Sequence, residues 1–233
     1  MHRSITLEER TKAYLEYPLQ VWIHRPGSRL NSRHEQSGIV RQLLKLALFA
    51  ANISATEAIL ALPGIKLIQS VRAQFGIGIS ITHCPEMVAV AIGAGKLGLD
   101  CEALGKKRNW QGIADQFFTE SEADAIRQAN PEMTERVFLQ HWTLKEAFIK
   151  ANENSIFGAM NRLVISSSTG VQLEGRGQEH WQVWYAAIGK CILGVCYQDE
   201  SIASSPLLEC TDLSNGSFTP RQDTIAINFM STS

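Results

Sequence analysis

Three strand-like segments follow one another in the first half of the chain, and the connections between them are very short. They are Ile77–His83, Met87–Ile92 and Leu97–Ala103. Pro85 and Glu86 lie in the first connection and Gly93–Lys96 in the second, and turns of this length join neighbouring antiparallel strands. The segments therefore predict a meander of antiparallel hairpins. They exclude parallel strands here, because a parallel pair needs a long crossover connection.

The helical patterns are separated from this meander. Apolar residues at helical spacing predict a helix over residues 32–51, preceded by a strand at Val21–His24. Asn130 as N-cap and Pro131 as first helical residue predict a long helix from Pro131 to Ala151. The remaining predicted elements are helices at Trp110–Phe118 and Ser121–Asn130 and strands at Leu163–Ser166, Trp181–Ile188 and Ile192–Tyr197. Because helices and hairpins segregate along the chain, the predicted fold class is α+β.

The order of these elements predicts two halves. The chain has 233 residues, which fits one large domain or two small ones packed in one monomer. Each half contains a helix and about three strands. The predicted division is an N-terminal half at 1–104, a C-terminal half at 105–205 and a polar tail at 206–233.

Composition excludes several classes of protein. Hydrophobic residues make up 45% and charged residues 19% of the chain, which is typical of a folded domain and not of a disordered chain. The net charge of −1 excludes a general nucleic-acid surface. No apolar run is long enough to span a bilayer, and the first twenty residues lack the apolar segment of a signal peptide. Five cysteines without zinc spacing predict reduced thiols and a cytoplasmic location.

Two carboxylates in the third strand of the meander suggest a metal site. In the run Gly98-Leu99-Asp100-Cys101-Glu102, Asp100 and Glu102 share one face because side chains alternate along a strand. They are about 7 Å apart along the strand, and hard oxygen ligands of this kind suit Mg²⁺. The alternative for this pattern alone is an exposed acidic strand face.

Two further patterns carry groups that could bind phosphate or a metal. On the long helix, Trp142, Glu146 and Lys150 are four residues apart and lie on one stripe, although an ordinary exposed Glu–Lys pair has the same spacing. Thr82 and His83 end a strand, where a hydroxyl and an imidazole can donate to a phosphate or simply be satisfied within the fold.

Taken together, the order and spacing of these patterns resemble the 4′-phosphopantetheinyl transferases of the surfactin-synthetase-activating type. That family shows a Ser-His element, then G-[IVL]-D-x-E, then F-x-x-x-E, then W-x-x-K-E-[AS]-x-x-K. The corresponding residues here are Thr82-His83, Gly98–Glu102, Phe118–Glu122 and Trp142–Lys150. The resemblance covers roughly residues 75–155.

The chain departs from the family pattern at four places. Thr82 replaces a serine and keeps the hydroxyl, whereas Cys84 replaces a second serine and loses a good donor. Residues Ala151–Ser155 stand where the family has Gly-x-Gly. The Lys-Pro that precedes the Ser-His strand is missing, and Arg72 is the candidate substitute.

The resemblance implies a fold, a reaction and a metal. The fold would be pseudo-dimeric, with two similar α+β halves and the active site in the cleft between them. The enzyme would be a holo-[acyl-carrier-protein] synthase, which transfers the 4′-phosphopantetheine arm of coenzyme A to a serine of an acyl or peptidyl carrier protein and releases adenosine 3′,5′-bisphosphate. Asp100, Glu102 and Glu146 would hold Mg²⁺, Glu146 would take the serine proton, and Lys150 would neutralise the transferred phosphate.

The resemblance also implies binding residues for both substrates. Thr82 and His83 would hold the 3′-phosphate of coenzyme A, and the other implied phosphate ligands are Lys145, Lys150, Arg33 and Arg72. The acidic carrier protein would dock near Lys106, Lys107 and Arg108 and the segment Trp110–Phe118. Two other readings stay open, namely another Mg²⁺-dependent phosphoryl or nucleotidyl transferase and a non-catalytic binder of coenzyme A or of a carrier protein.

Overall fold

The structure is a computed structural model. It describes residues 19–30, 32–153, 157–166, 170–173, 181–198, 207–212, 219–221 and 227–228. In this part of the chain, none of the helices combines the length and the apolar character that a membrane crossing requires. The described residues form a mixed α/β structure with three sheets.

The described residues divide into two compact units. The first contains the residues up to Leu97 together with two strands close to the C-terminus, and the second begins at Gly98. The sequence prediction placed this division at residue 104. In the structure the division falls inside the strand Lys96–Ala103, because that strand is hydrogen-bonded into the sheet of the second unit. The predicted tail at 206–233 also differs, since it contains three short strands, two of them in the first unit.

The first unit is a five-stranded sheet covered by helices. Its strands lie in the order β10-β9-β1-β3-β2, where β1 runs antiparallel to β3 and parallel to β9. The helices α1 and α3 bury Leu43, Leu44 and Val71 against Val90 and other sheet residues. The elements are β1 (Leu19–His24), α1 (Arg33–Ala50), α2 (Glu57–Leu60), α3 (Gly64–Phe75), β2 (Gly78–Cys84), β3 (Met87–Gly93), β9 (Leu207–Asp212) and β10 (Thr219–Arg221).

The second unit is built around one long helix, α6 (Thr134–Ala151), and a four-stranded sheet in the order β11-β7-β8-β4. The side chains of Leu144 and Phe148 belong to one apolar cluster of this unit, and Phe138 belongs to another. The other elements are β4 (Lys96–Ala103), α4 (Trp110–Phe117), α5 (Glu120–Gln128), a 3₁₀ helix (Phe157–Arg162), β5 (Leu163–Ser166), β6 (Gly170–Leu173), β7 (Gln182–Ile188), β8 (Cys191–Gln198) and β11 (Ile227–Asn228).

Two glycines let α6 lie directly on this sheet. A β-carbon on Gly194 of β8 would stand 2.7 Å from the carbonyl carbon of Thr143, and one on Gly98 of β4 would overlap the carbonyl oxygen of Ala147. Real β-carbons essentially never approach other atoms this closely, so both strands need glycine where the helix crosses them. The helix is buried along most of its length, as the sequence predicted.

The sequence predicted the meander and α1 closely, and it misplaced the start of α6. The helix begins at Thr134 and not at Pro131, because residues 131–133 form a turn. The side-chain oxygen of Asn130 accepts a hydrogen bond from the Glu132 amide two residues later, and the Asn130 carbonyl accepts one from Met133. An asparagine followed by proline favours a turn of this kind as much as a helix start. Helix α3 was missed, because its N-cap is Pro63 and Gly64 follows, a pair that suggests a turn.

The close approach at Gly194 is testable by adding one methyl group. Gly194→Ala should lower the free energy of unfolding by about 1–3 kcal/mol, since the helix backbone must move off the sheet. Gly38→Ala is the control, because Gly38 lies in α1 with open space beside it and alanine there should add about 0.5–1 kcal/mol. Urea unfolding followed by tryptophan fluorescence measures both, and equal effects of the two changes would contradict the close approach.

Candidate active site

Asp100 lies on the face of β4 that is turned toward α6. Gly98 faces the α6 backbone, and side-chain alternation puts Asp100 and Glu102 on the same face of the strand. The Asp100 side chain is largely buried, and one of its oxygens lies 2.7 Å from the ammonium of Lys150 on the last turn of α6. The predicted ligand and the predicted catalytic lysine are thus direct partners.

Glu146 stands one helical turn before Lys150 and is electrostatically coupled to the strand carboxylates. Burial raises the pKa of Glu146, the negative charges of Asp100 and Glu102 raise it further, and Lys150 lowers it. Burial likewise raises the pKa of Asp100, and Lys150 opposes that shift. The three carboxylates that the sequence singled out therefore lie in one unit, close enough for the charges of Asp100 and Glu102 to act on Glu146, and Lys150 pairs with Asp100.

A second lysine contacts the third carboxylate. The ammonium of Lys106 lies 2.6 Å from an oxygen of Glu102, and both side chains are about one-third exposed, at 34% and 27%. Lys106 was predicted to lie on a docking surface for a carrier protein. In this structure its charged group is paired with Glu102, whereas Lys107 and Arg108 are exposed.

The donor chemistry of this group fits a hard divalent cation. Asp100, Glu102 and Glu146 supply only oxygen donors, and Glu146 is destabilised as an anion by the charges of the other two. A divalent cation among them would relieve that repulsion. These residues could hold such a cation, and the Lys150 ammonium beside Asp100 could contact an anionic group bound to it.

Lys145 has a different position from the one implied by the family resemblance. Its ammonium is fully buried, lies 2.7 Å from an oxygen of Glu122, and donates to the carbonyl oxygens of Met160 and Leu163. The ring of Phe118 lies 5.1 Å from the same nitrogen. An ammonium has three protons to donate, and these three acceptors use them. Lys145 therefore has a structural role in this unit, and we do not propose that it binds coenzyme A.

Glu122 explains a motif that the sequence reading left without a role. Its carboxylate accepts from the amide of Thr119, which closes the capping box of α5, and from the amide of Ile165 on β5. With Lys145 it links α5, α6 and β5 through one buried ion pair. The F-x-x-x-E pattern and the first lysine of W-x-x-K-E thus meet as a single structural cluster. In the sequence, the only signal for this ion pair is that the two motifs occur together in one chain.

The predicted ligands for the 3′-phosphate of coenzyme A lie in the first unit. Thr82 is buried and His83 is exposed near the end of β2. Arg33 is exposed at the first residue of α1, and Arg72 is partly buried in the last turn of α3. Their role in binding coenzyme A stays a prediction.

The aromatic side chains of the predicted docking segment pack against other aromatic residues of the second unit. The rings of Trp110 and Phe118 pack on Phe138, and Phe117 meets Trp142 edge-on. The exposed residues of α4 are Gly112, Asp115 and Gln116, so the part of α4 that faces solvent is polar. Arg108 stacks over Trp110, at 5.8 Å from the ring centroid, which anchors the basic segment to this aromatic group.

The loop after Lys150 adopts a backbone that normally favours glycine. Glu153 has a φ of 57°, in the left-handed region, two residues after the end of α6. The residue change from the family's Gly-x-Gly therefore does not prevent a left-handed turn at this point. Residues 154 and 155, which complete the departure, lie outside the described residues.

The buried ion pair predicts a large and specific loss of stability. Lys145→Met should lower the free energy of unfolding by about 3–5 kcal/mol, because it leaves the Glu122 charge buried without a partner. Adding Glu122→Gln to this variant should recover part of the loss. Lys150→Met is the control, since its pair with Asp100 is partly exposed. Urea unfolding measures all three, and a Lys145 effect as small as the Lys150 effect would contradict the structural role.

Glu146 predicts a pH-dependent difference in stability in the absence of metal. Its pKa in the folded protein lies above the unfolded value, so the folded state binds the proton more tightly. Stability is therefore lost as the pH rises from the unfolded pKa through the folded one. Glu146→Gln cannot ionise, so it should match the wild type near pH 4 and be the more stable protein at pH 7. Urea unfolding in EDTA at both pH values tests this, with the exposed Glu132→Gln as control.

Comparison with known proteins agrees with this geometry. Residues 96–196 match the family model of the 4′-phosphopantetheinyl transferase superfamily. The chain is 27% identical to 4′-phosphopantetheinyl transferase HetI of Nostoc sp. over 85 residues, which cover 36% of each chain. It is 24% identical to 4′-phosphopantetheinyl transferase AcpT of Salmonella typhimurium over 111 residues, covering 46% of this chain and 58% of that protein. A protein of Synechocystis sp. is 31% identical over 70 residues, 30% of this chain and 28% of its own length.

The chain therefore spans between 28% and 58% of the length of these curated relatives. The matched segment 96–196 begins with β4 and ends within β8, so it contains Asp100, Glu102, Glu146 and Lys150. The family match falls on the segment that carries the carboxylate group, and together with the similarity to named 4′-phosphopantetheinyl transferases it supports the 4′-phosphopantetheinyl transferase family for this chain.

Proposed function

We propose that the protein transfers the 4′-phosphopantetheine arm of coenzyme A to a serine of an acyl or peptidyl carrier protein, with Mg²⁺ as the metal. Two observations in the segment that matches the family support this proposal: the charges of Asp100 and Glu102 act on Glu146, and Lys150 pairs with Asp100. The proposal includes the surfactin-synthetase-activating type, the pseudo-dimeric arrangement of two similar α+β halves in one monomer, and a cytoplasmic location.

The reaction is a displacement at one phosphorus atom. The oxygen of the carrier serine forms a bond to the phosphorus that bears the pantetheine arm, and the bond from that phosphorus to the bridging pyrophosphate oxygen breaks. Adenosine 3′,5′-bisphosphate leaves with the bridging oxygen, and the serine proton must pass to a base. When bound, Mg²⁺ supplies positive charge that stabilises the pyrophosphate oxygens.

Glu146 is the proposed base. It would accept the serine proton directly or through a bound water molecule. Because a carboxylate that holds a cation is a weak base, we favour the transfer through water. Asp100 and Glu102 share with Glu146 the proposed task of holding the metal. The three side chains come from β4 and α6, and their mutual placement depends on the close approach at Gly98.

Lys150 is the proposed electrostatic stabiliser of the transferred group. Its side chain is 31% exposed, which leaves its ammonium accessible to a phosphate while it stays beside Asp100. Charge that grows on the phosphoryl oxygens in the transition state is stabilised most strongly by a donor that is already in position. Thr82, His83, Arg33 and Arg72 are the proposed ligands of coenzyme A in the first unit.

The carrier protein is proposed to dock on the exposed basic segment of the second unit. Lys107 and Arg108 are exposed and lie in the loop after the strand that carries Asp100 and Glu102. Carrier proteins are acidic around the modified serine, so positive charge here complements that surface and favours encounter.

Transfer to carrier proteins tests the proposal directly. The purified chain, coenzyme A and MgCl₂ are incubated with a panel of unmodified acyl and peptidyl carrier proteins, and intact mass is expected to show one phosphopantetheinyl group added to a carrier. Asp100→Ala, Glu102→Ala and Glu146→Ala should each lower the transfer rate about 100-fold or more. Lys150→Ala should lower kcat, with an increase of about 2–4 kcal/mol in the activation free energy.

The control for these variants is Glu132→Ala, which removes an exposed carboxylate in the turn before α6. It should leave the transfer rate unchanged. If any variant of the three carboxylates keeps a near-normal Mg²⁺-dependent rate, the role proposed for that residue is wrong. If no carrier gains mass and the chain does not bind coenzyme A, another Mg²⁺-dependent phosphoryl or nucleotidyl transferase becomes the better reading.

A further inference from the structure

The loop that follows β4 is fixed to the start of α6 by one carboxylate. Glu135 accepts hydrogen bonds from two successive backbone amides, at 3.0 Å from Gly105 and 2.9 Å from Lys106. Gly105 has a φ of 93°, a backbone conformation that other residues rarely adopt. The amide of Leu104 donates to the carbonyl of Lys190, so the loop is held from a second side.

With the loop anchored in this way, the side chain of Lys106 contacts β4, the strand that precedes the loop. The Lys106 ammonium lies 2.6 Å from Glu102, four residues earlier in the chain. In a free surface loop such a contact would cost both backbone and side-chain entropy, but here the backbone of Lys106 is already fixed because Glu135 accepts a hydrogen bond from its amide. The pair is thus a built feature of the loop.

Two of the three carboxylates proposed to hold the metal are therefore paired with a lysine. Asp100 pairs with Lys150, and Glu102 pairs with Lys106. Lys150 has a proposed role at the phosphate, whereas nothing in the proposed reaction requires Lys106 on Glu102. A cation that binds Glu102 must compete with Lys106 for the same carboxylate.

We propose that Lys106 is a positioning residue that occupies Glu102 in the metal-free protein and yields it when a divalent cation binds, so that Lys106 sets the affinity of the site for the cation. The inference rests on the proposed role of Glu102 as a metal ligand. It concerns the free protein and needs neither coenzyme A nor a carrier.

The test uses Mn²⁺ as the probe, titrated into the purified full chain and followed by electron paramagnetic resonance of the unbound ion. Lys106→Ala removes the competing ammonium and should tighten Mn²⁺ binding about threefold to fivefold, which corresponds to a partly exposed ion pair. Lys106→Arg keeps the charge and should bind Mn²⁺ like the wild type. Lys107→Ala is the matched control, because it removes the same charge from the neighbouring exposed position and should change the affinity less than twofold.

The sign of the change separates this role from a structural one. A variant that merely loosens the loop would weaken Mn²⁺ binding, because Glu102 would be less well placed. The proposal is overturned if Lys106→Ala binds Mn²⁺ no more tightly than the wild type, if Lys107→Ala tightens binding equally, or if none of the proteins binds the ion. The proposed function is tested separately, by the mass of the carrier protein. If a carrier gains mass but Lys106→Ala does not tighten Mn²⁺ binding, only the role of Lys106 is wrong. If Lys106→Ala tightens Mn²⁺ binding but no carrier gains mass, only the transferase function is wrong.

Discussion

The close approach of the α6 backbone to β4 and β8 is the constraint on which the second unit depends. Gly98 and Gly194 leave no side chain between strand and helix, so the carbonyl of Ala147 and the backbone at Thr143 sit directly on the sheet. This packing brings Asp100 within hydrogen-bonding distance of Lys150. A helix held farther away by ordinary side chains would separate the strand carboxylates from Glu146. The glycine of the G-x-D-x-E pattern is thus structural, and it determines where the acidic residues of that pattern can act.

The charged residues of α6 divide between two faces with different surroundings. Lys145 and Glu146 are adjacent in sequence and about 100° apart around the helix. Lys145 is fully buried and pairs with Glu122, and its remaining protons are donated to backbone carbonyls of the same unit. Glu146 shares its face with Lys150, where carboxylates outnumber ammonium groups. One helix therefore both holds the unit together and presents the proposed active site, which explains why a single motif mixes structural and chemical residues.

Much of the fold and part of the site followed from the sequence, for identifiable reasons. The meander was predicted well because short turns leave hairpins little freedom, and α1 because its apolar spacing and the Ser32 capping box agree. The carboxylate group was predicted through strand alternation and helical spacing combined with the family resemblance. The places of Lys145 and Lys106 were not, because their partners Glu122 and Glu102 could be assigned only once the packing of α5 on α6 and the path of the 105–106 loop were known. The three strands beyond residue 206 were missed because this part of the chain is rich in serine and threonine and shows little apolar periodicity.

The balance of charge in the carboxylate group explains its electrostatics. Asp100 and Glu102 each have a lysine partner, and burial still raises the pKa of Asp100. Glu146 experiences both of these carboxylates as well as its own desolvation, and Lys150 offsets only part of the penalty. Among the described residues, this group contains three carboxylates and two lysines. A divalent cation bound there would make the positive charges of the group outnumber the negative ones, so that one lysine could leave its carboxylate. Lys150 lies in the last turn of α6, whereas Lys106 reaches Glu102 from the loop after β4. Moving the Lys106 side chain away from its carboxylate therefore disturbs the fold less than moving that of Lys150.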